Sequence, residues 1–216
     1  MKDPSGNEKP SSYFSQARPE LVALLPSGRL GRLLDVGCGA GGVGRALRDR
    51  VDFLAGIEVE PQFAAEARTV YDQVLTGKVE DVIDALDAPF DTILAYDLLE
   101  HLAQPDEVLR RLQDVAADGA LLHVSVPNAR HWSLVRDLVV RGTFGYTEWG
   151  HRDTTHLRWL TRSDLVQLLE TTGWHVQGTA HAPLTSAGRL AERVTRGVSA
   201  EFLIYQWSAL ARRAGP

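Results

Sequence analysis

The chain has 216 residues, a formal net charge of −5 at pH 7 and one cysteine, Cys38. This length suits one α/β domain with a substantial core and is short for two. The acidic balance argues against a nucleic-acid binder, which needs a basic surface, and one cysteine can form neither an internal disulfide nor a cysteine-rich metal site. Because no run of about 18 apolar residues and no signal-peptide pattern occurs, we expect a soluble cytoplasmic protein without membrane contact.

The N-terminal region divides into a polar part and a more apolar part. Residues 1–12 (MKDPSGNEKPSS) are rich in Pro, Ser and Gly, which predicts a flexible tail. Residues 13–216 are expected to form one domain. Pro19 can occupy the first turn of a helix, and residues 20–25 are apolar enough to pack on a sheet.

A loop with five glycines lies within LLDVGCGAGGVG, which runs from Leu33 to Gly44. The apolar run at residues 32–36 predicts a buried strand before this loop, and helical spacing resumes at residues 43–50. Glycine permits positive φ and lets a ligand lie against the backbone, and the first N–H groups of a helix favour electron-rich ligand atoms. The loop therefore predicts a nucleotide-cofactor site.

Asp35 bears on which cofactor this loop binds. Gly37, Gly39 and Gly42 satisfy the G-x-G-x-x-G dinucleotide fingerprint. A carboxylate two residues before the first glycine suits a cationic ligand, or one with hydroxyl and ammonium donors, but not a pyrophosphate. The glycines alone therefore leave both cofactor classes open.

Two acidic residues near the end of the second predicted strand, at residues 52–59, are candidates for a ribose contact. Glu58 lies 21 residues after Gly37, where a carboxylate holds ribose hydroxyls in a βαβ unit. Glu60 is the alternative, in the turn before a helix predicted at residues 61–71. A short third strand is predicted at residues 73–75.

Three regular elements are predicted in the middle of the chain. Residues 91–96 are almost continuously apolar, as in a parallel strand covered on both faces. Residues 105–117 have the stripe of an amphipathic helix, and residues 119–126 predict a fifth strand. Because the loops after the strands of an open α/β sheet face one crevice, Asn128 and the segment after it are candidate substrate contacts.

Residues 129–161 are the least regular part of the sequence. They contain several aromatic residues, more arginines than acids, and three of the seven histidines. A long irregular segment within a compact domain is usually functional or disordered, and the aromatic content argues against disorder. We therefore expect a substrate lid, whose arginines bind an acidic group of the acceptor or remain solvated. The residues expected to contact the acceptor are Tyr146, Trp149, Asp153 and Arg158.

Three histidines are candidate general bases, because histidine titrates near neutral pH. His101 follows the fourth strand, and His151 and His156 lie in the lid. A purely structural role for His101 beside Glu100, at the start of a helix, is the alternative.

Asp153 has several interpretations. It would orient the ring of His151 or His156, or it would pair with Arg152 or Arg158 and hold the lid in place. His151, Asp153 and His156 also have the donor types of a facial metal site, but their spacing is not a recognised signature. We therefore expect no metal.

The C-terminal part predicts two helices and two strands. A helix at residues 163–172 has a capping signal at its start and Gly173 at its end. A strand at 174–180, a helix at 187–195 and a closing strand at 201–212 follow.

Two motifs, each after its own predicted strand, resemble those of class I S-adenosylmethionine (SAM) methyltransferases. DVGCGAG, from Asp35, is similar to their first motif, and FDTILAYDLLEHL, from Phe90, is similar to the fourth motif of the small-molecule members. The resemblance covers most of residues 30–180. It implies an α/β fold with a doubly wound, mostly parallel seven-stranded sheet, the Rossmann-like methyltransferase fold, closed by an antiparallel strand. GTFGYTEWGHRDTTHLRWLT, from Gly142, resembles a subgroup associated with glycan and natural-product tailoring.

The same resemblance implies SAM as the cofactor, with the N-terminal segment often covering it. The family usually places an acid against the adenine amino group, but Lys78 stands at that position here. Glu80 or backbone groups would replace the acid, and Val79 would pack on the ring. The implied cofactor-binding residues are Asp35, Gly37, Cys38, Gly39, Gly41, Glu58, Val79, Glu80, Tyr96 and Asp97.

We therefore expect methyl transfer from SAM to a hydroxyl, or less favourably an amine, of a small molecule such as a sugar or secondary metabolite. The expected partner is that acceptor, and a homodimer is allowed for. One alternative is a methyltransferase-like subunit that binds a partner without catalysis, which Lys78 and the lack of an unmistakable base keep open. The other is an NAD(P)-dependent oxidoreductase, which leaves Asp35 and the DLLEHL motif unexplained.

Overall fold

The computed structural model describes residues 16–148, 150–181 and 200–214. Its centre is a seven-stranded sheet with the order β3-β2-β1-β4-β5-β7-β6. The strands are β1 (Arg32–Val36), β2 (Phe53–Glu58), β3 (Gln73–Thr76), β4 (Phe90–Tyr96), β5 (Ala116–Pro127), β6 (Trp174–His181) and β7 (Gln206–Arg213). Strands β1 to β5 pair in parallel, whereas β7 is antiparallel to both β5 and β6. The predicted mostly parallel sheet with a closing antiparallel strand is confirmed.

Helices and short 3₁₀ turns connect the strands. The α-helices are α1 (Pro19–Val22), α2 (Gly42–Leu47), α3 (Pro61–Ala67), α4 (Val79–Val82), α5 (Pro105–Asp114), α6 (Trp132–Arg141), α7 (Arg162–Thr171) and α8 (Ala200–Leu203). The 3₁₀ turns are Arg48–Arg50, Ile83–Ala85, Leu99–His101 and Gly150–Arg152. No helix within the described ranges has the length and apolar character needed to span a bilayer.

Strand β1 shows why the sheet is covered on both faces. Successive side chains of a strand point to opposite faces, and here Leu34 and Val36 belong to one buried cluster while Leu33 belongs to another. All three side chains are at most 1% exposed. A layer therefore packs on each side of the sheet, which explains the continuous apolar runs in the sequence.

Local sequence signals fix several helix boundaries. Pro19, Pro61 and Pro105 each occupy the first turn of a helix, where the missing N–H has no intrahelical partner to lose. The side chain of Thr161 accepts a hydrogen bond from the backbone N–H of Asp164, and the Asp164 side chain accepts one from the backbone N–H of Thr161. This capping box confirms the predicted start of α7.

Two predicted elements differ from the structure. Residues 132–141, expected to be part of an irregular lid, form the helix α6. The helix exposes the apolar side chains of Val139 and Val140 to solvent, so its pattern in the sequence departs from that of an amphipathic helix. The closing strand begins at Gln206 rather than at residue 201, because α8 occupies residues 200–203. The predicted tail and the helix predicted at 187–195 lie outside the described residues.

Candidate active site

A cavity of about 250 Å³ opens at the carboxyl ends of β1, β2 and β4. Each of these strands ends in a loop that contributes to the wall, as expected for an open α/β sheet. The N-terminal segment forms a further part of the wall. The residues that line the cavity are Gln16, Arg18, Asp35, Gly37, Cys38, Gly39, Val43, Glu58, Val59, Glu60, Tyr96, Asp97, Leu98 and His101.

The glycine loop has the backbone conformation that the sequence predicts. Gly37, Gly39 and Gly41 have φ values of 82°, 52° and 83°, in the left-handed region that favours glycine. The backbone N–H groups of Gly37 and Cys38 donate to the Ile57 carbonyl oxygen at 2.8 and 3.0 Å. These bonds attach the loop to the neighbouring strand and hold it against the cavity.

Asp35 is buried at the start of this loop and is bound by a tyrosine. Its Oδ2 accepts a hydrogen bond of 2.6 Å from the Tyr71 hydroxyl, whose oxygen accepts one of 3.1 Å from the Gly44 N–H. Burial raises the pKa of Asp35 to about 6, although the Tyr71 hydrogen bond opposes this, and the charge of Glu58 adds to it. At pH values above 6 most of the carboxylate is ionised, so it presents a negative charge to the cavity from a buried position.

Tyr71 also explains one of the glycines. A Cβ on Gly44 would lie 2.4 Å from ring atoms of Tyr71, so a side chain at position 44 would displace the tyrosine that binds Asp35. The sequence alone did not single out Tyr71, because it lies 36 residues from Asp35 and outside any motif.

Glu58 holds the glycine loop and the following turn together. Its Oε2 accepts from the Gly39 N–H at 2.8 Å, and its Oε1 accepts from the Glu60 N–H at 2.9 Å. Burial raises the pKa of Glu58, while the backbone hydrogen bonds lower it. Both Glu58 and its alternative Glu60 line the cavity, and each carboxylate oxygen of Glu58 keeps a lone pair for a further donor.

A network around Asp97 joins the N-terminal segment to the last strand. Asp97 accepts hydrogen bonds from Arg18 and from the Gln206 amide, and Arg18 also donates to Gln206 Oε1 at 2.8 Å. The Ser125 hydroxyl donates to Asp97 Oδ1 at 3.2 Å. Burial alone would lower the pKa of Arg18, but Asp97 and Glu20 outweigh it and raise that pKa.

Both charged members of this network have an unusual backbone conformation. Arg18 has φ 46° and Asp97 has φ 49°, values that are uncommon for residues other than glycine. Such conformations persist only where the surrounding structure fixes them, and they cluster at functional sites. Asp97, which lies within the second motif, therefore has a position that is set by three segments of the chain.

Two residues implied for the adenine contact are not part of this cavity's lining. Val79 is 5% exposed and belongs to the hydrophobic core, and neither Val79 nor Glu80 is among the residues that line the cavity. Lys78 precedes α4 as its N-terminal flanking residue. The remaining implied cofactor residues, Asp35, Gly37, Cys38, Gly39, Glu58, Tyr96 and Asp97, all line the cavity, and Gly41 lies at the start of α2.

The Tyr96 side chain is bound within the sheet. Its hydroxyl forms a 2.8 Å hydrogen bond with Nδ1 of His123, and His123 is fully buried on β5. Burial raises the pKa of Tyr96 and lowers the pKa of His123 to about 4. At neutral pH the pair is therefore uncharged, with the tyrosine ring at the cavity wall.

His101 is the histidine that lines the cavity. Its Nδ1 lies 3.3 Å from the Thr155 carbonyl oxygen and 3.1 Å from the Thr155 hydroxyl oxygen. The Thr155 hydroxyl donates to Asp153 Oδ1 at 2.7 Å, so both threonine oxygens are acceptors toward the ring. A neutral His101 therefore carries its proton on Nδ1 and its lone pair on Nε2.

Glu100 and His156 lie beside His101. The ligand atoms of these three side chains are all within 4.8 Å of one another, the one such group of three among the described residues, and the two imidazole rings meet edge to face at 4.7 Å. Glu100 is 2% exposed, and neither of its carboxylate oxygens has a hydrogen-bond partner among the described residues. Burial and the charge of Asp97 raise its pKa well above the usual range.

His151, the third candidate base, lies outside the cavity lining. Its Nε2 donates to the Tyr205 carbonyl oxygen at 2.7 Å, and its ring stacks on His131 at 4.6 Å. Burial lowers the pKa of both histidines, to about 4 for His131. This arrangement holds the lid against the C-terminal segment.

The predicted acceptor contacts are dispersed. Asn128 is fully buried, and its amide donates to the carbonyl oxygens of Glu201 and Ile204 at 2.6 and 2.8 Å, so it connects β5 to the C-terminal segment. Tyr146 is 60% exposed, and Arg158 donates to the Ala103 carbonyl oxygen. Trp149 lies outside the described residues.

A buried ionic contact within the lid involves Arg152, one of the two arginines considered as partners of Asp153. Arg152 donates to Asp137 on α6 at 2.8 Å, and Arg136 and Arg141 also pair with this buried aspartate. Burial would raise the pKa of Asp137, but the three arginines hold it below the usual value. Asp153 accepts a hydrogen bond from the Thr155 N–H at 2.9 Å, so it positions the threonine that binds His101.

Comparison with known proteins gives three informative matches. Residues 11–178 match the family model described as a methyltransferase domain. A ubiquinone biosynthesis O-methyltransferase from Xylella fastidiosa is 28% identical over an alignment of 132 residues. The alignment covers 58% of this chain and 54% of that protein, so the chain spans about half the length of this relative. An enzyme of the same name from Aeromonas salmonicida is 23% identical over 212 residues, covering 93% of this chain and 88% of the other.

The fold also matches a solved structure. The crystal structure of a SAM dependent methyltransferase from Archaeoglobus fulgidus has a TM-score of 0.65 to this chain, with 15% identity and 90% of each chain covered. At this level of identity the likeness concerns the fold, and it agrees with the sheet order described above.

Proposed function

The chain belongs to the family of methyltransferase domains, and from this premise we propose that it is a SAM-dependent enzyme that methylates a hydroxyl group of a small molecule. The observation that carries the proposal is one cavity lined by the glycine loop, by the carboxylates Asp35 and Glu58, and by His101. A donor site and a candidate base therefore face the same space.

The donor end has the charge and shape that SAM requires. SAM is a cation with an ammonium group and ribose hydroxyls, and Asp35, Glu58 and Glu60 are carboxylates on the cavity wall. Gly37 and Gly39 present backbone without a Cβ, so the ligand can approach closely. A dinucleotide carries a pyrophosphate instead, which three carboxylates would repel. This charge pattern argues against the oxidoreductase alternative.

The acceptor end is proposed to lie under residues 129–161. The backbone N–H groups of Leu157 and Arg158 donate to the Glu100 carbonyl oxygen at 2.7 and 3.1 Å. These bonds bring this segment against the turn that carries His101. A segment in this position would cover the methyl-transfer point and exclude water from it.

His101 is proposed as the base. The hydroxyl oxygen of the acceptor attacks the methyl carbon of SAM, the carbon–sulfur bond breaks, and S-adenosylhomocysteine leaves with the bonding electron pair. The hydroxyl proton passes to the lone pair on Nε2 of His101. Because the reaction is an in-line displacement, most of the rate enhancement comes from alignment of donor and acceptor.

The acceptor class is proposed from two observations. The relatives named above are O-methyltransferases of ubiquinone biosynthesis, which favours a hydroxyl over an amine. The lid has a cluster of Phe144, Tyr146 and Trp159, with ring centroids 4.9 to 6.1 Å apart. Such a surface suits a phenol or a sugar ring, and both fall within the secondary-metabolite and glycan acceptors predicted from the sequence.

Calorimetric titration with SAM and, separately, with NADH tests the cofactor. We expect micromolar SAM affinity and no NADH binding. Gly39→Val should abolish SAM binding, because a β-branched side chain is strongly disfavoured at φ 52°, whereas the control Gly178→Val has open space at its Cβ. A Gly39→Val protein that folds and keeps micromolar SAM affinity would contradict the placement of the cofactor.

The role of His101 has its own test. His101→Ala should retain SAM affinity and lose about 10²- to 10⁴-fold in methyl transfer to a phenol or sugar acceptor, the usual contribution of a general base. If wild-type protein binds SAM but methylates neither acceptor class, the partner-binding alternative replaces the enzymatic one.

A further inference from the structure

We propose that Thr155 and Asp153, both in the lid, stabilise the protonated form of His101, so that His101 is an effective base only while the lid is docked. This inference rests on the proposed function, in which Nε2 of His101 takes the proton of the acceptor hydroxyl. It starts from a chain of hydrogen bonds that leads from the other ring nitrogen of His101 to a buried carboxylate. The two lid residues are positioning residues, because they act through His101 rather than on the acceptor.

The hydrogen-bond chain begins at Nδ1 of His101. This nitrogen lies 3.1 Å from the Thr155 hydroxyl oxygen and 3.3 Å from the Thr155 carbonyl oxygen. The Thr155 hydroxyl donates to Asp153 Oδ1 at 2.7 Å, and the Thr155 N–H donates to the same oxygen at 2.9 Å. Because a hydroxyl has one proton, the bond to Asp153 leaves only lone pairs for the ring. Nδ1 of a neutral His101 is therefore the donor, and Nε2 keeps the lone pair.

The direction of this chain determines its response when His101 is protonated. Proton transfer to Nε2 makes the ring a cation, and the bond from Nδ1 to Thr155 then becomes charge-assisted, a stronger class of hydrogen bond. Asp153 is 2% exposed, and the charge of a buried group is screened much less than that of an exposed one. A buried carboxylate behind an imidazole fixes the tautomer of the ring and stabilises the imidazolium. The chain should therefore make Nε2 more basic.

Other ionisable side chains near His101 are Asp97 on the same cavity wall, Glu100 and His156. Asp97 has a cationic partner in that wall. Burial, with the charge of Asp97 and a smaller contribution from Asp153, raises the pKa of Glu100 well above its usual range, which favours its uncharged form. His156 meets His101 edge to face at 4.7 Å, and a charge on its ring would oppose a second cation. Asp153 is therefore the carboxylate that a described path of hydrogen bonds connects to His101.

The chain crosses from the turn after β4 to the lid. The backbone N–H groups of Leu157 and Arg158 donate to the Glu100 carbonyl oxygen at 2.7 and 3.1 Å. These bonds fix the segment that carries Thr155 beside His101. If this segment moved away, water would replace Thr155 at Nδ1, and the ring would lose both its fixed tautomer and its path to the carboxylate. Removal of the acceptor proton is thereby coupled to closure of the lid.

Nitrogen NMR of isotope-labelled protein tests the proposal without an acceptor. Histidine ring shifts report which nitrogen carries the proton and at which pH the ring becomes charged, and His101→Gln identifies the signal. In the wild type we expect the proton on Nδ1. Thr155→Val and Asp153→Asn should each lower the titration midpoint of His101 by about one pH unit, the scale of one hydrogen bond to a charged group. Thr155→Ser, which keeps the hydroxyl, and the control Thr154→Val, at an exposed neighbouring threonine, should titrate as the wild type does.

Methyl-transfer kinetics supply a second measurement. At saturating SAM, where titration of Asp35 no longer limits binding, Thr155→Val should lower kcat for a phenol or sugar acceptor by about tenfold and move the acid limb of the kcat profile to lower pH. The direction follows because a base with a lower pKa stays unprotonated to lower pH but takes the acceptor proton less readily. In a His101→Ala background, Thr155→Val should cause no further loss, since residues that act as a unit have non-additive effects.

Several outcomes contradict the proposal. A neutral wild-type His101 with its proton on Nε2 would overturn it even if the variants fold poorly. An unchanged midpoint in both Thr155→Val and Asp153→Asn would do the same. Equal losses of kcat from Thr155→Val in the wild-type and His101→Ala backgrounds would show that Thr155 is only structural. The proposed function fails by different results: absence of SAM binding rejects the donor site, and full activity of His101→Ala rejects the base itself.

Discussion

The glycine loop is attached to strand β2 through its own backbone N–H groups, whereas α6 and residues 150–152 of the lid are attached through side chains. Gly37, Cys38 and Gly39 donate to atoms of β2. In the lid, Asp137 binds three arginines, and His151 binds the Tyr205 carbonyl across 54 residues. The glycine loop and the lid are therefore stabilised by different kinds of contact.

This difference has consequences for substitution. A loop fixed through its backbone tolerates changes of side chain, except where a Cβ would collide or where the side chain itself bears the ligand charge. A segment that is attached through its side chains loses its fixed backbone position when those side chains are replaced. Substitutions on the cofactor side should therefore alter SAM affinity or stability, and those on the lid side should alter acceptor kinetics.

Among the changes that compare the glycine loop with the lid, Asp35→Asn should have the largest effect. The substitution keeps the size of the side chain and its acceptor for Tyr71 but removes the charge that faces cationic SAM. We expect about a 100-fold loss of SAM affinity by calorimetry, the usual scale for a desolvated charged contact. Asp118→Asn is the control, because that carboxylate is 79% exposed at the other end of the sheet. Equal losses in the two variants would show that Asp35 has no direct role.

Gly44→Ala should lower the free energy of unfolding through a clash near the glycine loop, without altering contacts of the lid. The new Cβ would lie 2.4 Å from the Tyr71 ring, and overpacking of this kind costs about 2 kcal/mol of unfolding free energy. Chemical denaturation measures the change, and Gly178→Ala, with nothing near its Cβ, should be close to neutral. Tyr71→Leu in the Gly44→Ala background should recover part of the loss. A fully stable Gly44→Ala protein would mean that Tyr71 moves freely.

Asp137→Asn should lower the rate of methyl transfer to the acceptor and leave the affinity for SAM unchanged. Removal of the charge releases Arg136, Arg141 and Arg152 from their common partner, so the lid loses a fixed position. Because small displacements of aligned groups are costly in catalysis, we expect about a tenfold lower kcat/KM for the acceptor with an unchanged Kd for SAM. The exposed pair Asp106 and Arg110 supplies the control, Asp106→Asn. A changed SAM affinity with an unchanged kcat/KM for the acceptor would contradict this prediction.

The pH dependence of SAM binding should be the smallest effect. The pKa of Asp35 is raised to about 6, so the anionic form is complete near pH 8 and is lost as the pH falls through 6. SAM affinity should therefore decrease by about fourfold from pH 7 to pH 5.5, given one titrating group. Calorimetry at a series of pH values checks this, and Asp35→Asn should show a flatter profile. A SAM affinity that rises as the pH falls would contradict the role proposed for the ionised Asp35 carboxylate.

The sequence predicted the glycine loop and the strands beside it well, because their signals are local. Each strand, its terminal acid and its glycines lie within a few residues of one another, as in residues 32–44 and 52–60. The positions of Asp35, Glu58 and the glycines were thus accessible from spacing alone. Val79 and Glu80 were inferred by resemblance only, and they lie outside the cavity lining.

The acceptor side was predicted less completely because its contacts are distant in sequence. The partnership of Arg152 with Asp137 spans 15 residues, and that of His101 with Thr155 spans 54. No periodicity in the sequence indicates such pairs. The contacts of Asp153 with Thr155, and of Asn128 with the Glu201 and Ile204 carbonyl oxygens, were therefore not predicted. The aromatic content nevertheless indicated an ordered segment, and a well-formed helix, α6, occupies part of it.

The network around Asp97 affects how the chain can be shortened. Arg18 and Gln206 reach Asp97 from 79 and 109 residues away, so segments near both ends of the described chain close one wall. A truncation that starts after Arg18 would open the cavity to solvent and leave Asp97 without its cation, even though β1 and the rest of the sheet remain. A fragment that keeps this wall of the cavity must therefore begin no later than Gln16 and extend at least to Gln206, the first residue of β7.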